Sequence, residues 1–360
     1  MKQFTCKTKI VSGAGTVSAL KDLDARRLLL VTDPFFHENG TAARIAALSG
    51  APHTEIFHNI IPDPTVELAA QGTAVLRAFA PDVLVALGGG SAMDCAKAML
   101  YFSGVQATFV AIPTTSGSGS EVTDFAILTH NGVKHPLVDH RLRPDIAILD
   151  SELLQSLPKS LIADSGFDVL CHALEAFVAK GASPITDALA EDAFQTVYSL
   201  LPASYAGNKE VRLPIHVAAT MAGMAFTQAG LGLCHALAHV LGGAFHVSHG
   251  KLNAILLPAV IGCNAHAAGK QYARLAAAAG IGGSAETLAV RNLRNALMRL
   301  RRELNLPDTL AQVGIAPGVL RSRMRELVPA VLADPCCASN PIGVEDFMVR
   351  RILDEVAGRG

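Results

Sequence analysis

Residues 82–99 read DVLVALGGGSAMDCAKAM, and the fold is decided there. Val83 to Leu87 is an apolar run with no polar alternation, as expected of a strand covered by helices on both faces. It ends in Gly88, Gly89, Gly90 and Ser91, and helix-forming residues follow at once. A strand, a glycine turn and a helix N-terminus in that order expose free backbone N–H groups and the positive end of a helix dipole, a seat for an anion such as a diphosphate. Glycines also serve plain tight turns, so the motif draws its meaning from its surroundings.

On both sides of it, short β-branched runs alternate with helical patterns. RLLLVTD (27–33), EIFHNI (55–60), ATFVAIPTT (107–115) and DIAILD (145–150) read as strands. TAARIAALS (41–49), VELAAQGTAVLRAFA (66–80) and AMDCAKAMLYF (92–102) read as helices. That alternation predicts βαβ units feeding a parallel sheet. After SELLQSLP (151–158) the texture changes to Ala- and Leu-rich sequence with 3.6-residue periodicity, so the second half is expected to be all helical. The predicted domains are an α/β nucleotide-binding domain over residues 1–158 and a helical metal-binding and substrate domain over residues 159–360.

The 360 residues are 50% hydrophobic and 17% charged with a net charge of -1, a profile that excludes a disordered or nucleic-acid-binding chain. Arg299, Arg301 and Arg302 in LMRLRRELNL have the spacing of a solvated helix face. The opening MKQFTCKTKIVSGAG has no apolar signal region, and no window carries the roughly 18–20 continuous apolar residues of a membrane span, so a cytoplasmic location is expected. Seven cysteines, odd in number and scattered through apolar context, read as reduced and mostly buried thiols.

A second small-residue loop, Pro113 to Ser120 (PTTSGSGS), follows the next strand, and ligands of open α/β folds sit at such carboxyl edges. Asp33 ends LLLVTD, where its carboxylate can accept from ribose hydroxyls and would repel a 2′-phosphate, which favours NAD over NADP. A capping role before Pro34 is the other reading of Asp33. In GFDVLCHALEAF, Asp168 and His172 are four apart and share a helix face; His235 and His239 repeat that spacing in GLGLCHALAHVLGG, and His249 follows at a glycine-marked break. A lone core histidine is usually just hydrogen-bonded, but five ligand-type groups in so apolar a context point to a first-row divalent ion with an open position. Spacing alone leaves open which of His235 and His239 binds.

GGGSAMDCAKA, AIPTTSGSGSEVT, the Asp168/His172 pair and GLGLCHALAHVLGG with SHGKLNAILLP together resemble the iron-containing (group III) alcohol dehydrogenases, over nearly the whole chain. The resemblance implies a Rossmann-like N-terminal domain, an all-α C-terminal domain of the dehydroquinate synthase-like fold, and an active site in the cleft between them. It implies Asp168, His172, His235 and His249 as ligands of Fe2+, with Zn2+ the alternative, and His239 off the metal near substrate and nicotinamide, where an imidazole, exchanging protons near neutral pH, is the candidate catalytic proton relay. NAD contacts would fall to Asp33, Gly89, Gly90, Ser91, Asp94, Thr114, Thr115, Ser118 and Lys134. The sequence departs from the family where Cys171 and Cys234 precede ligands and where Ser118 replaces a frequent Thr; a thiol there makes the site oxidation-sensitive. Within the family, DPTVELAAQG, DALAEDA and MAGMAFTQAGLGL look most like the propanol dehydrogenases of bacterial microcompartments.

The expected reaction is therefore reversible hydride transfer between nicotinamide and a short-chain aldehyde or primary alcohol, by a homodimer acting without nucleic acid or membrane, either free in the cytoplasm or inside a bacterial microcompartment. Rival readings are a glycerol or polyol dehydrogenase of the same superfamily, and a non-catalytic NAD-binding microcompartment component.

Overall fold

The structure, a computed structural model, describes residues 2–130 and 133–358. Its sheet unit comprises Thr5–Leu157 together with Arg212–Gly223. The strands are β1 (Lys9–Gly13), β2 (Arg27–Val31), β3 (His53–Phe57), β4 (Val83–Gly88), β5 (Thr108–Pro113), β6 (Phe125–His130), β7 (Val133–Val138) and β8 (Ile146–Asp150). The helices of this unit are α1 (Pro34–Glu38), α2 (Thr41–Leu48), α3 (Val66–Phe79) and α4 (Gly90–Ser103).

Six strands form one parallel sheet in the order β1-β8-β5-β4-β2-β3. Successive residues of β2 and β4 enter opposite cores: Leu29, Val31, Leu84 and Ala86 face one, Leu28, Leu30, Val85 and Leu87 the other. Both faces are covered, which is why these strands are apolar throughout. The chain leaves β2 for the outer strand β3 and returns to β4 on the other side of β2, so the order reverses between β2 and β4. The carboxyl ends at that reversal are where nucleotides bind in folds of this kind.

The antiparallel hairpin β6–β7 lies outside the predicted alternation of strands and helices. Lys134, His135 and Pro136 lie inside β7 and break the apolar pattern a strand is recognised by.

The helical unit is built mainly from Pro158–Val211 and the chain from Met224 onward. It carries α5 (Lys159–Val178), α6 (Pro184–Ala206), α8 (Leu233–Phe245), α9 (His249–Ala278), α10 (Glu286–Glu303), α11 (Pro317–Ala333), α12 (Cys336–Ser339) and α13 (Asp346–Val356). α7 (Arg212–Ala229) is divided, because its first part, Arg212–Gly223, belongs with the sheet unit. That corrects the assignment of all of residues 159–360 to one helical domain. The reason is local: His216 Nδ1 pairs with Ser116 Oγ at 2.9 Å, the Thr220 hydroxyl donates to Glu121 at 2.5 Å, and a Cβ on Gly119 would lie 2.7 Å from Gly223 Cα.

α9 is long and apolar enough to cross a membrane by composition, but 72% of its apolar window is buried inside the protein, as in a core helix. Arg301 is buried, its guanidinium pairing with Asp308 at 2.6 Å and donating to Ala254 O at 3.0 Å, so it departs from the solvated face on which Arg299 and Arg302 stay. All seven cysteines are free, with Cys95, Cys171 and Cys234 buried.

Candidate metal centre and nucleotide cradle

α5 carries Asp168 and His172 one turn apart, α8 contributes His235 in its first turn, and His249 opens α9. Their side chains converge. The Nε2 atoms of His172, His235 and His249 lie 3.9, 3.8 and 3.6 Å from Asp168 Oδ1. These separations are too long for hydrogen bonds. Asp168, His172 and His235 offer atoms all within 4.8 Å of one another, as donors about 2.1 Å from one divalent ion would be, and His249 meets them through Asp168. Three imidazoles and a carboxylate are borderline-hard donors suited to iron or zinc, so the donor set fits the ion the sequence implies. The side chains of Asp168, His172 and His235 are 11%, 6% and 1% exposed while that of His249 is 30% exposed, so the set opens to solvent on the His249 side.

Two residues that sequence reasoning missed hold this set. Glu175 Oε2 takes the His235 Nδ1 proton at 2.6 Å, which fixes the ring and leaves Nε2 free to ligate. The same carboxylate accepts from the backbone N–H groups of Gly232 and Cys234 at 2.9 and 2.7 Å, capping α8 from another helix. Asn253 Nδ2 donates to Asp168 Oδ1 at 2.6 Å. Both had a signal in spacing: Glu175 continues the Asp168/His172 face at i+7, and Asn253 follows His249 by four. His172 is held by stacking instead, between Phe226 at 4.4 Å and His235 at 4.5 Å, its buried Nδ1 without a partner.

The electrostatics follow from burial against charge. Burial would raise the Asp168 carboxyl, but the imidazoles of His172, His249 and His235 outweigh it and hold it well below the usual range. Burial lowers His172 to about 4 and puts His249 well below its ordinary value, so both are neutral, as ligands must be. Burial opposes charge on His235 too, but Asp168 and Glu175 together raise it to about 9. Without an ion His235 holds a proton that an ion has to replace.

His239 lies beside the set, its ring 5.3 Å from that of His249, but its Nδ1 is engaged by Asp334 Oδ2 at 3.0 Å. The structure therefore separates two histidines of identical spacing by their partners.

In the sheet unit, Gly88 has φ +149, and a Cβ there would lie 2.7 Å from Ala92 Cβ. The same Cβ would lie 3.6 Å from Asp33 Oδ2, so Asp33 borders the glycine turn at the β2/β4 reversal. Its other oxygen, Oδ1, accepts from Phe36 N at 3.1 Å, capping α1. A Cβ on Gly89 would touch Thr115 Oγ1 at 3.4 Å and one on Gly90 would press on Ser118 Oγ at 3.2 Å, so the two loops form one small-residue cradle. Thr114 N donates to Gly88 O at 2.9 Å, and no side chain caps α4, whose first residues include Ser91. The cradle fits a dinucleotide diphosphate.

Asp94 and Lys134 are engaged within the protein. Asp94 accepts from Ser120 Oγ at 2.8 Å and Ile127 N at 3.1 Å, and Lys134 pairs with Asp63 at 2.6 Å. Lys97, missed in the sequence, is fully buried and donates to Ser120 Oγ, Thr123 O, Thr123 Oγ1 and Phe125 O at 2.9–3.0 Å. It ties the end of the second loop to the hairpin.

A dinucleotide cradle on one unit and a histidine-rich cation site on the other define a metal-dependent dehydrogenase. Comparison with known proteins agrees: residues 7–151 match the family described as iron-containing alcohol dehydrogenase, and residues 162–357 match its C-terminal part. The chain belongs to the iron-containing alcohol dehydrogenase family and is an iron-type alcohol dehydrogenase. It is 40% identical to the 1-propanol dehydrogenase PduQ of Citrobacter freundii, covering 99% of this chain and 100% of that protein. The iron-containing alcohol dehydrogenase of Thermococcus thioreducens superposes with a TM-score of 0.92 at 32% identity, covering 99% of both chains. The sulfoacetaldehyde reductase of Bifidobacterium kashiwanohense, solved in complex with NAD+, superposes with a TM-score of 0.90 at 27% identity, covering 100% of both chains.

Proposed function

We propose that the enzyme interconverts a short-chain aldehyde, such as propanal or acetaldehyde, and its primary alcohol with NAD(H), using Fe2+ or alternatively Zn2+ held by Asp168, His172, His235 and His249. The observation that carries this reading is the gathering of three imidazole Nε2 atoms 3.6–3.9 Å from one carboxylate oxygen. The likeness to a 1-propanol dehydrogenase supports the short-chain substrate.

A divalent ion bound there supplies Lewis acidity toward the substrate oxygen. The chain's own residues do the rest. Asp168 and the three histidines fix the ion, Glu175 sets the His235 tautomer, and Phe226 covers the His172 ring. Gly89, Gly90, Ser91, Thr114, Thr115 and Ser118 bind the diphosphate, and Asp33 takes the adenosine ribose. Asp94 and Lys134 act on this cradle from behind through their own ion pairs and hydrogen bonds. His239, its Nδ1 occupied by Asp334, offers Nε2 to move the alcohol proton. A homodimer in the cytoplasm, inside a bacterial microcompartment, completes the proposal, on the strength of the sequence resemblance.

The test is anaerobic reconstitution with each metal, followed by NADH consumption on adding propanal, acetaldehyde or glyceraldehyde. Turnover of the simple aldehydes that disappears with the ion in His249→Ala is expected. Faster turnover of glyceraldehyde than of the simple aldehydes, or none with any substrate, overturns the reading; full turnover and an unchanged pH profile in His239→Ala removes the proton-relay role alone.

A further inference from the structure

Beside the Asp168 set lies a second convergence of donors that the reaction does not require as a whole: His239 of α8, Asp334 at the end of α11 and Cys336 at the start of α12. One nitrogen, one oxygen and one sulfur lie within 4.8 Å of one another, and all three residues are half-buried, so solvent reaches them. Asp334 is the hinge of the trio. Its Oδ2 is 3.0 Å from His239 Nδ1, and its Oδ1 accepts from Cys336 N at 2.9 Å, so the turn itself brings the thiol alongside the carboxylate. The neighbouring Cys337 is spoken for, its Sγ 3.1 Å from Val331 O.

We infer that His239, Asp334 and Cys336 form a second, inhibitory site for a soft divalent ion of the zinc type. Imidazole, carboxylate and thiolate are a zinc donor set, and three protein ligands leave the fourth position to water. A thiolate discriminates against hard ions, and the divalent series favours zinc over ferrous iron, so iron fills the first site and leaves the second alone. On binding, the Cys336 thiol gives its proton to solvent, a sulfur–metal bond forms, and the Asp334–His239 hydrogen bond is exchanged for two bonds to the ion. The ring of His239 is 6.1 Å from that of His235, so the second ion sits one imidazole away from the first. The inhibition rests on the proton role proposed for His239; the binding does not.

Anaerobic titration with cobalt(II), as a spectroscopic stand-in for zinc, tests it. Wild type should take up two equivalents by equilibrium dialysis, the second bringing a near-ultraviolet thiolate-to-cobalt band. Cys336→Ser and Asp334→Asn should each stop at one equivalent without the band, while Cys337→Ser keeps both. Zinc beyond one equivalent should inhibit wild type and not Cys336→Ser. A single equivalent in wild type, or a band that survives Cys336→Ser, overturns the inference. Loss of the first equivalent alone in His249→Ala with the band retained reports on the first site only, so the two readings fail separately.

Discussion

Replacing Glu175 by Gln should weaken the metal centre without touching a ligand. The Glu175 carboxylate accepts from His235 Nδ1 at 2.6 Å, Gly232 N at 2.9 Å and Cys234 N at 2.7 Å. A Gln of the same shape has one acceptor oxygen, and its amide group must turn a donor toward either the imidazole N–H or the α8 N-terminus. If the oxygen takes the Oε1 place, on Cys234 N, the amide N–H faces both Gly232 N and His235 Nδ1, and the His235 tautomer is no longer enforced. Such outer partners are worth roughly 10–100-fold in metal affinity, or about 1.4–2.7 kcal/mol. If the oxygen takes the Oε2 place, on His235 Nδ1 and Gly232 N, the Cys234 N–H of the buried helix end loses its partner, at roughly 1–3 kcal/mol. The first arrangement appears as weaker binding, the second as lower stability of the metal-free protein. Competition with a chromophoric chelator reads the affinity and urea unfolding of the metal-free protein reads the stability. Glu175→Gln that matches wild type in both measurements would refute the reasoning, since no placement of the amide satisfies all three donors.

Three further outcomes follow from the same geometry. Asp33→Gly should shift the NADP/NAD ratio of kcat/KM by at least ~10-fold, since like charges in contact cost more than about 1.4 kcal/mol, while stability falls only a few tenths because Gly is a tolerated N-cap; an unchanged ratio in steady-state kinetics would remove Asp33 from the ribose. Burial lowers His216 to about 4, so between about pH 4 and 6.5 the unfolded chain binds more protons than the folded one. Stability therefore rises with pH across that window and is lost as pH falls, by up to about 3 kcal/mol, and His216→Gln, unfolded in chelator over the same range, should lack that increment. Lys97→Met leaves its four acceptors and the nearby Asp94 and Glu121 charges without their cation, and should destabilise by about 3–5 kcal/mol in urea unfolding; a loss under ~1 kcal/mol would mean the buried ammonium is dispensable.

What the sequence made legible is what a period or a spacing encodes. β2, β4 and β8 are apolar on both faces, so their runs announce a sheet covered on both sides. Asp168/His172 and His235/His239 announce helix faces. β7 hides because Lys134, His135 and Pro136 interrupt its pattern, and Arg301 hides because its partner Asp308 sits on a turn beyond the helix. The choice between His235 and His239 is invisible for the same reason: the two differ only in which carboxylate receives Nδ1, Glu175 from α5 or Asp334 from the far end of α11. Tertiary partners, not neighbours in the chain, set the two apart.

The same partners resolve an electrostatic difficulty in the site. His235 lies in the first turn of α8 and His249 is the first residue of α9, so two helix N-termini, each carrying partial positive charge, flank a place meant for a cation. At α8 the charge is offset: Glu175 takes the Gly232 and Cys234 N–H groups and Asn340 Oδ1 takes that of Leu233 at 3.2 Å. With Asp168, Glu175 also brings two negative charges against the ion's two positive ones, which makes its burial tolerable. At α9 the carboxylate is one step removed. Ser248, in the N-cap position, makes no cap and instead donates its hydroxyl to Asp164 at 2.8 Å. The helix end at His249, the most exposed of the four proposed ligands, thus has the Asp164 carboxylate beside it but no side-chain cap, and an oxygen arriving from solvent with developing negative charge is favoured on that side.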